Sequence, residues 1–294
     1  MKRILVTGAT GNIGSEVIRF LPESSEEFEI TAAVRNIGKA KEAFADFPNL
    51  NFRRFDFEEP ESFAEAFRGI DLLFLLRPPH ISKVEEVFRP LLESAKENGI
   101  QRMVFLSVQG VEKSTVIPHH KIERLIEKLC FDFIFVRPSY FMQNLTTALR
   151  EEILNKRSIT LPSGKAKFNW IDVENIGEAC AILLTDFDSH QNKAYEITGK
   201  ENKAFSEVVD LMTQIIGVKI TYKSVNPVWF FFRKKKEGLT SGFALVMTIL
   251  HFMPRLQDPP AISNVFQNLT GKKPTSLTQF IEREKEKMVP PEGE

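Results

Sequence analysis

The stretch TGATGNIG sets Gly8, Gly11 and Gly14 three residues apart. Glycines at that spacing do chemistry through the backbone. The motif follows an apolar run, RILV, and opens a helical pattern. In that setting a tight turn lets peptide N–H groups approach a pyrophosphate at a helix N-terminus. Thr10, Asn12 and Ile13 lie between the glycines and belong to the same cofactor-binding turn. A glycine-rich turn without a ligand is the alternative. A site for NAD carries Asp or Glu about twenty residues further on, against the ribose 2′-hydroxyl. Here AAVRNIGKAK offers Arg35 and Lys39, with no carboxylate before Glu42. A guanidinium clamps a 2′-phosphate with paired donors, so the expected cofactor is NADP(H) in preference to NAD(H). A solvated surface arginine is the alternative. In FDFEEPESF, Asp56 either accepts from an adenine amino group, with Phe57 beside it, or caps a helix before Pro60.

Residues 115 to 123, TVIPHHKIE, hold two of the five histidines, His119 and His120, beside Lys121. An imidazole titrates near neutrality, so His119 can bond a ribose or substrate oxygen and donate a proton, or it is only the start of a helix. His120 falls about 100° away around that helix and is expected to be exposed or structural. No metal is expected: adjacent helical residues do not readily share one, and no cysteine or carboxylate spacing supports it.

These residues need a scaffold, and the hydrophobic rhythm supplies it. Strand-like runs occur at 3–8, 30–35, 51–56, 71–76, 102–107 and 131–138, with helical periodicity between them, as in 82–99 ending at Gly99. Continuous apolar strands separated by helices predict a parallel sheet covered on both faces. Beyond Pro138 the pattern predicts helices over 141–155, 172–186 (capped by Asp172) and 205–217. It also predicts a strand at 193–198, a charged amphipathic helix over 275–288, and a frayed PPEGE end.

Composition narrows the function. Lys plus Arg and Asp plus Glu are 39 each, so a net charge of zero gives no global reason to expect nucleic acid. Cys130 and Cys180 form no disulfide framework and suit a reducing cytosol. MKRILVTG passes straight into the glycine motif and does not read as a signal peptide. Gly242–Met253, GFALVMTILHFM, is too short to span a bilayer and reads as a buried or pocket-lining helix. PVWFFFRKKKEG (227–238) reads as a buried aromatic turn with a solvated basic flank. Its alternatives are a membrane-surface contact or a lid.

TGATGNIG, AAVR, FLLRPP (74–79), LSVQG (106–110), VRPSYFMQN (136–144) and IDVENIGEA (171–179) together resemble the NmrA-like branch of the atypical short-chain dehydrogenase/reductases. The resemblance runs from residue 1 to about 200, and more weakly to TGKKPTSLTQFIERE. It implies an α/β fold: a Rossmann-type doubly wound parallel sheet over 1–200, to whose cleft 141–170 contribute. A smaller α/β substrate-binding region over 201–294 completes it. It also implies NADP(H), held further by Leu75, Leu76, Arg77, Ser107, Val108, His119, Pro138, Tyr140 and Phe141. The wider superfamily uses Tyr-x-x-x-Lys; here its slots fall on Thr115 and His119, and neither matches. The quinone-reductase-like members also carry a histidine near the second slot. Ser107 occupies the usual catalytic-serine position, and Tyr140 is the one tyrosine the resemblance places near the nicotinamide. His119, Tyr140 and Ser107 are therefore the catalytic candidates.

Pro78, His80, Met142, Asn144, Phe168 and Trp170 are the expected substrate contacts, an apolar wall suited to a flat conjugated acceptor. The expected activity is hydride transfer from NADPH to a quinone or similar molecule. Such acceptors need little acid catalysis, because their reduced anions are already stabilised. The alternative is a non-catalytic NADP(H) sensor that binds a protein partner. The expected protein is cytoplasmic, without a transmembrane segment, and a monomer or homodimer.

Overall fold

LLFLL (72–76) has no polar face, and such a run is stable as a strand only where both faces are covered. The computed structural model, which describes residues 1–21, 27–115 and 117–289, covers it in that way. The closing PPEGE, expected to fray, lies outside the described residues. In chain order come β1 (Lys2–Val6), α1 (Asn12–Phe20), β2 (Phe28–Val34), α2 (Ile37–Ala43), β3 (Asn51–Arg54), α3 (Phe63–Phe67) and β4 (Leu72–Leu76). Then follow α4 (Val84–Glu97), β5 (Arg102–Leu106), α5 (Pro118–Lys128), β6 (Asp132–Pro138), β7 (Tyr140–Phe141), α6 (Arg150–Lys156), β8 (Ser158–Leu161) and β9 (Lys167–Ile171). Next are α7 (Val173–Thr185), α8 (Phe187–His190), β10 (Lys193–Ile197), β11 (Asn202–Ala204), α9 (Phe205–Ile216) and β12 (Thr221–Ser224). The chain closes with α10 (Pro227–Lys236), α11 (Ser241–Phe252), α12 (Val265–Thr270) and α13 (Leu277–Glu284).

The chain forms two compact units, each drawn from three separate segments. The first comprises Met1–Pro138, Val173–Ile197 and Val265–Lys272. Its seven parallel strands run in the order β10-β6-β5-β4-β1-β2-β3, a Rossmann-type doubly wound sheet. The helices close over it by periodicity. In α4, Val84, Phe88, Leu91, Leu92 and Ala95 are buried, and Gly99 takes the left-handed turn (φ +88°) that ends the helix.

Two glycines let α1 sit closer than side chains would allow. A Cβ at Gly14 would lie 2.3 Å from the Gly8 carbonyl oxygen. A Cβ at Gly177, in the middle of α7, would lie 2.5 Å from Glu16 Cβ and 2.7 Å from the Glu16 carbonyl carbon. Gly177 belongs to the IDVENIGEA motif, so the reason for that glycine is the seat of α1.

The second unit comprises Ser139–Asp172, Thr198–Asn264 and Lys273–Glu294. Its β9 pairs antiparallel with β11 and parallel with β7, while β8 pairs parallel with β12. Buried Asn169 organises it. Its Oδ1 accepts from the Ser139 hydroxyl (2.7 Å) and the Gly199 N–H (2.7 Å), and its Nδ2 donates to the Gly199 carbonyl (3.1 Å).

Two expectations are corrected here. The helix over 141–155 is instead a two-residue strand, a 3₁₀ turn at Met142–Leu145 and a helix starting only at Arg150. Pairing of Tyr140 and Phe141 with Trp170 and Ile171 is a long-range interaction that overrides local periodicity. PVWFFFRKKKEG is a helix and not an aromatic turn. Asn226 caps it by accepting from the N–H groups of Val228 and Trp229, and Pro227 sits at its first position.

The α1 seat makes a testable demand. Gly177→Ala adds helix propensity on α7 but drives a methyl into the α1 backbone. The expected net loss is on the order of 1–3 kcal/mol, read as a lower unfolding midpoint. A midpoint at or above the parent's shows that the helices separate freely.

Candidate functional site

The glycine turn is built for an anion. Gly8 adopts φ +60°, where a side chain would also strike Leu76. The Gly11 N–H closes the turn on the Gly8 carbonyl at 2.9 Å. Gly11 is the N-cap of α1, has extended backbone and contributes no side-chain cap. The Ser15 N–H makes the first helical bond, to Gly11. The N–H groups of Asn12, Ile13 and Gly14 therefore have no acceptor four residues back, and the helix presents its positive end there. Thr10, Gly11 and Asn12 are exposed, whereas Ile13 is buried and offers only its main chain. The Thr7 hydroxyl donates to the Phe74 carbonyl and accepts from the Leu76 N–H, which pins the turn to the end of β4.

Arg35 follows the last residue of β2, and Lys39 lies one turn into α2, whose cap Asn36 accepts the Lys39 N–H at 3.0 Å. Both side chains are exposed and make no side-chain hydrogen bond or ion pair among the described residues. Asp56 is not a cap for the turn at Pro60. One of its oxygens accepts the Glu58 N–H at 3.0 Å. Phe57 and Leu75 turn into the core, and Leu75 has no exposed surface.

At the ends of β4 and β5 the polar groups are few and specific. Ser107 is 2 % exposed, and its hydroxyl has no hydrogen-bond partner among the described residues. Val108 and Leu76 beside it are half-buried, and Pro138, ending β6, is buried. The Arg77 guanidinium is partly buried. It donates to the carbonyls of Pro78, Pro79 and Ile81 and meets no carboxylate among the described residues. Burial lowers its pKa to about 10, which leaves it cationic at neutral pH.

Arg77 Nε also points at His119 Nε2 (3.4 Å), so that nitrogen is an acceptor and the ring proton belongs on Nδ1. Burial, helped by the Arg77 charge, pushes the His119 pKa down to about 3. This corrects the expectation of titration near neutrality: His119 is a neutral ring at the start of α5, tilted against the Phe105 ring at 6.2 Å between centroids. Arg137, from the VRPSYF motif, holds α5 in place through a two-point pair with buried Glu123 (3.1 and 2.8 Å). Of the slot residues, Thr115 is exposed and His119 half-buried, and the neighbouring His120 is half-buried too.

Tyr140 belongs to the second unit. His251 Nδ1 lies 2.7 Å from the Met247 carbonyl and must donate to it. Nε2 is therefore an acceptor, and the Tyr140 hydroxyl donates to it at 2.9 Å. Burial raises the Tyr140 pKa, against a smaller opposing hydrogen bond from Asn144. Burial likewise pushes His251 down to about 4, with a contribution from Lys234. Tyr140 is thus a weaker acid than a free phenol, and its proton is already engaged. The sequence reading passed over His251, although a lone histidine inside GFALVMTILHFM was a legible signal. Of the expected substrate contacts, Met142, Phe168 and Trp170 are core residues of this unit, with the Trp170 N–H bound to the Lys203 carbonyl. Asn144 and Phe141 are half-buried; in the first unit Pro78 is half-buried and His80 exposed.

Residues 1–246 match the NmrA-like family. The chain belongs to that family. It is 27% identical over 277 residues to prestalk A differentiation protein A of Dictyostelium discoideum, covering 94% of this chain and 90% of that one. It is 29% identical over 281 residues to an NAD(P)H azoreductase of Xenophilus azovorans, covering 94% and 96%. The NmrA-like fold is also that of an NADPH-dependent quinone oxidoreductase from Escherichia coli in complex with NADPH. There the TM-score is 0.82 at 22% identity, covering 95% of this chain and 99% of that one.

The neutral His251 has a consequence for stability. Its folded pKa lies below the ordinary 6.5, so the unfolded chain takes up a proton first as pH falls. Stability contributed by the neutral ring is complete above about pH 6.5 and is lost progressively down to about pH 4. The full effect is on the order of 3 kcal/mol. Denaturant midpoints measured across that window should fall less steeply in His251→Asn than in the parent; identical slopes refute the assignment.

Proposed function

We propose that this protein is an NADP(H)-dependent oxidoreductase that transfers a hydride to a quinone or similar conjugated small molecule. The observation that carries the reading is the open N-terminus of α1. Three N–H groups face an exposed turn, and Arg35, just after β2, and Lys39, one turn into α2, have no side-chain partner among the described residues. The residues fit a 2′-phosphorylated dinucleotide: Gly11, Asn12, Ile13 and Gly14 for the pyrophosphate, and Arg35 with Lys39 for the 2′-phosphate. Ser107 brings an unsatisfied hydroxyl to the end of β5. When bound, the reduced nicotinamide supplies the hydride.

The chain's own contribution is orientation and fixed charge. Arg77 holds a cation, with no carboxylate to neutralise it, at the end of β4, where it favours an acceptor that becomes anionic. Neither His119 nor Tyr140 is poised to give up a proton near neutral pH. A quinone tolerates this, because its reduced anion is stabilised by conjugation and takes its proton from water. The same lack of a poised acid is the observation in favour of the second reading, a sensor that binds the cofactor without turnover.

Two measurements test these readings. Arg35→Ala should weaken NADPH binding by at least about tenfold and leave NADH nearly unchanged, since a lost charge-assisted pair costs on the order of 1.5–3 kcal/mol. Equal losses for both cofactors, by calorimetry, would remove the 2′-phosphate assignment. NADPH oxidation should proceed with a panel of quinones, azo compounds and enones, with no inflection from His119 between about pH 5 and 8. Tight NADPH binding without turnover on any of them selects the sensor.

A further inference from the structure

PVWFFFRKKKEG and GFALVMTILHFM play no part in the cofactor reading, yet both fold into helices of the second unit, α10 and α11, that pack together. Phe230 is the one buried residue of α10, while Val228, Trp229 and Phe232 are 62%, 51% and 63% exposed. On α11, Ala244, Met247, Thr248 and His251 face inward. The opposite side exposes Leu245, Ile249 and Leu250, continued by Met253 and Leu256. Neighbouring helices thus turn eight large apolar side chains to solvent, the pattern of an interaction surface.

The charges say what covers it. Residues 228, 229, 232, 235 and 236 follow helical spacing, so Lys235 and Lys236 extend the Val228–Trp229–Phe232 stripe by one turn. Both lysines are exposed and have no ion-pair partner among the described residues. Arg233 and Lys234 behave differently: Arg233 pairs with Glu152 and Glu237, and Lys234 with Glu237. Between Asn226 and Gln257 the sequence holds Arg233, Lys234, Lys235, Lys236 and Arg255 against the single carboxylate Glu237, in a chain of zero net charge. A tryptophan and a phenylalanine at the surface, followed by unpaired lysines, suit an interface that is apolar below and anionic above.

We propose that the α10–α11 face docks on a phospholipid bilayer with anionic headgroups, its aromatic and aliphatic side chains in the acyl boundary and Lys235 and Lys236 among the headgroups. The contact lies in the interface and does not cross it, since among the described residues no helix is long and apolar enough to span a membrane. A second copy of the chain is a poorer occupant. The face carries no free carboxylate to receive the lysines of its twin.

Sedimentation with vesicles tests this on the full-length protein. Partition should be at least about tenfold stronger on phosphatidylcholine mixed with phosphatidylserine than on phosphatidylcholine alone, and should weaken with salt. Trp229 emission should shift to the blue on binding, against a constant background from Trp170, which is fully buried. Phe232→Glu should reduce partition at least tenfold. The double change Lys235→Glu and Lys236→Glu, confined to exposed side chains, should abolish the preference for anionic vesicles. The idea fails if parent protein with an intact unfolding transition does not bind anionic vesicles, or if both variants bind like the parent. A lipid-free dimer that Phe232→Glu dissociates assigns the face to a second copy and overturns the proposal.

Discussion

Everything at the carboxyl edge of the parallel sheet depends on how close α1 comes to the turn before it. The Gly8 carbonyl oxygen occupies the volume that a side chain at Gly14 would need, and the Glu16 backbone occupies that of Gly177. Held between the turn and α7, α1 is fixed with its N-terminal N–H groups pointing out of the molecule's first unit. A helix displaced by a methyl group would still be a helix, but its positive end would miss an anion seated in the turn. Thr7 adds the second anchor, tying the same turn to β4.

Burial also decides the electrostatics. His119 and His251 are both driven neutral because protein atoms replace water around their rings. In the first unit this leaves Arg77 as the charge that matters beside His119. In the second it turns His251 into an acceptor for Tyr140. The superfamily's Tyr-x-x-x-Lys slots, as the resemblance sets them, fall on Thr115 and His119, and burial holds the His119 ring well below its ordinary range.

Charge is distributed unevenly within an electrically neutral chain. The acidic and basic residues balance overall, yet α10 gathers four consecutive cations and exposes three of its apolar side chains just before them. Average composition conceals such a face, because a net charge sums over surfaces that point in different directions.

The sequence by itself determined the parallel sheet, the glycine turn and the position of Arg35, because each rests on local spacing: continuous apolar runs, three glycines, and the residue that ends β2. It also determined α4, α9 and α13, whose periodicity survives packing. The tertiary structure alone decided what depends on distant partners. Tyr140 and Phe141 became a strand because Trp170 and Ile171 pair with them, and the unit boundary interleaves because the chain returns to the sheet at α7, β10 and α12. The neutrality of His119 and the bond from Tyr140 to His251 required residues 42 and 111 positions apart to meet in low-dielectric surroundings. Spacing along a chain carries no information about such desolvation, which is why the chemistry of the buried histidines was not legible before the fold.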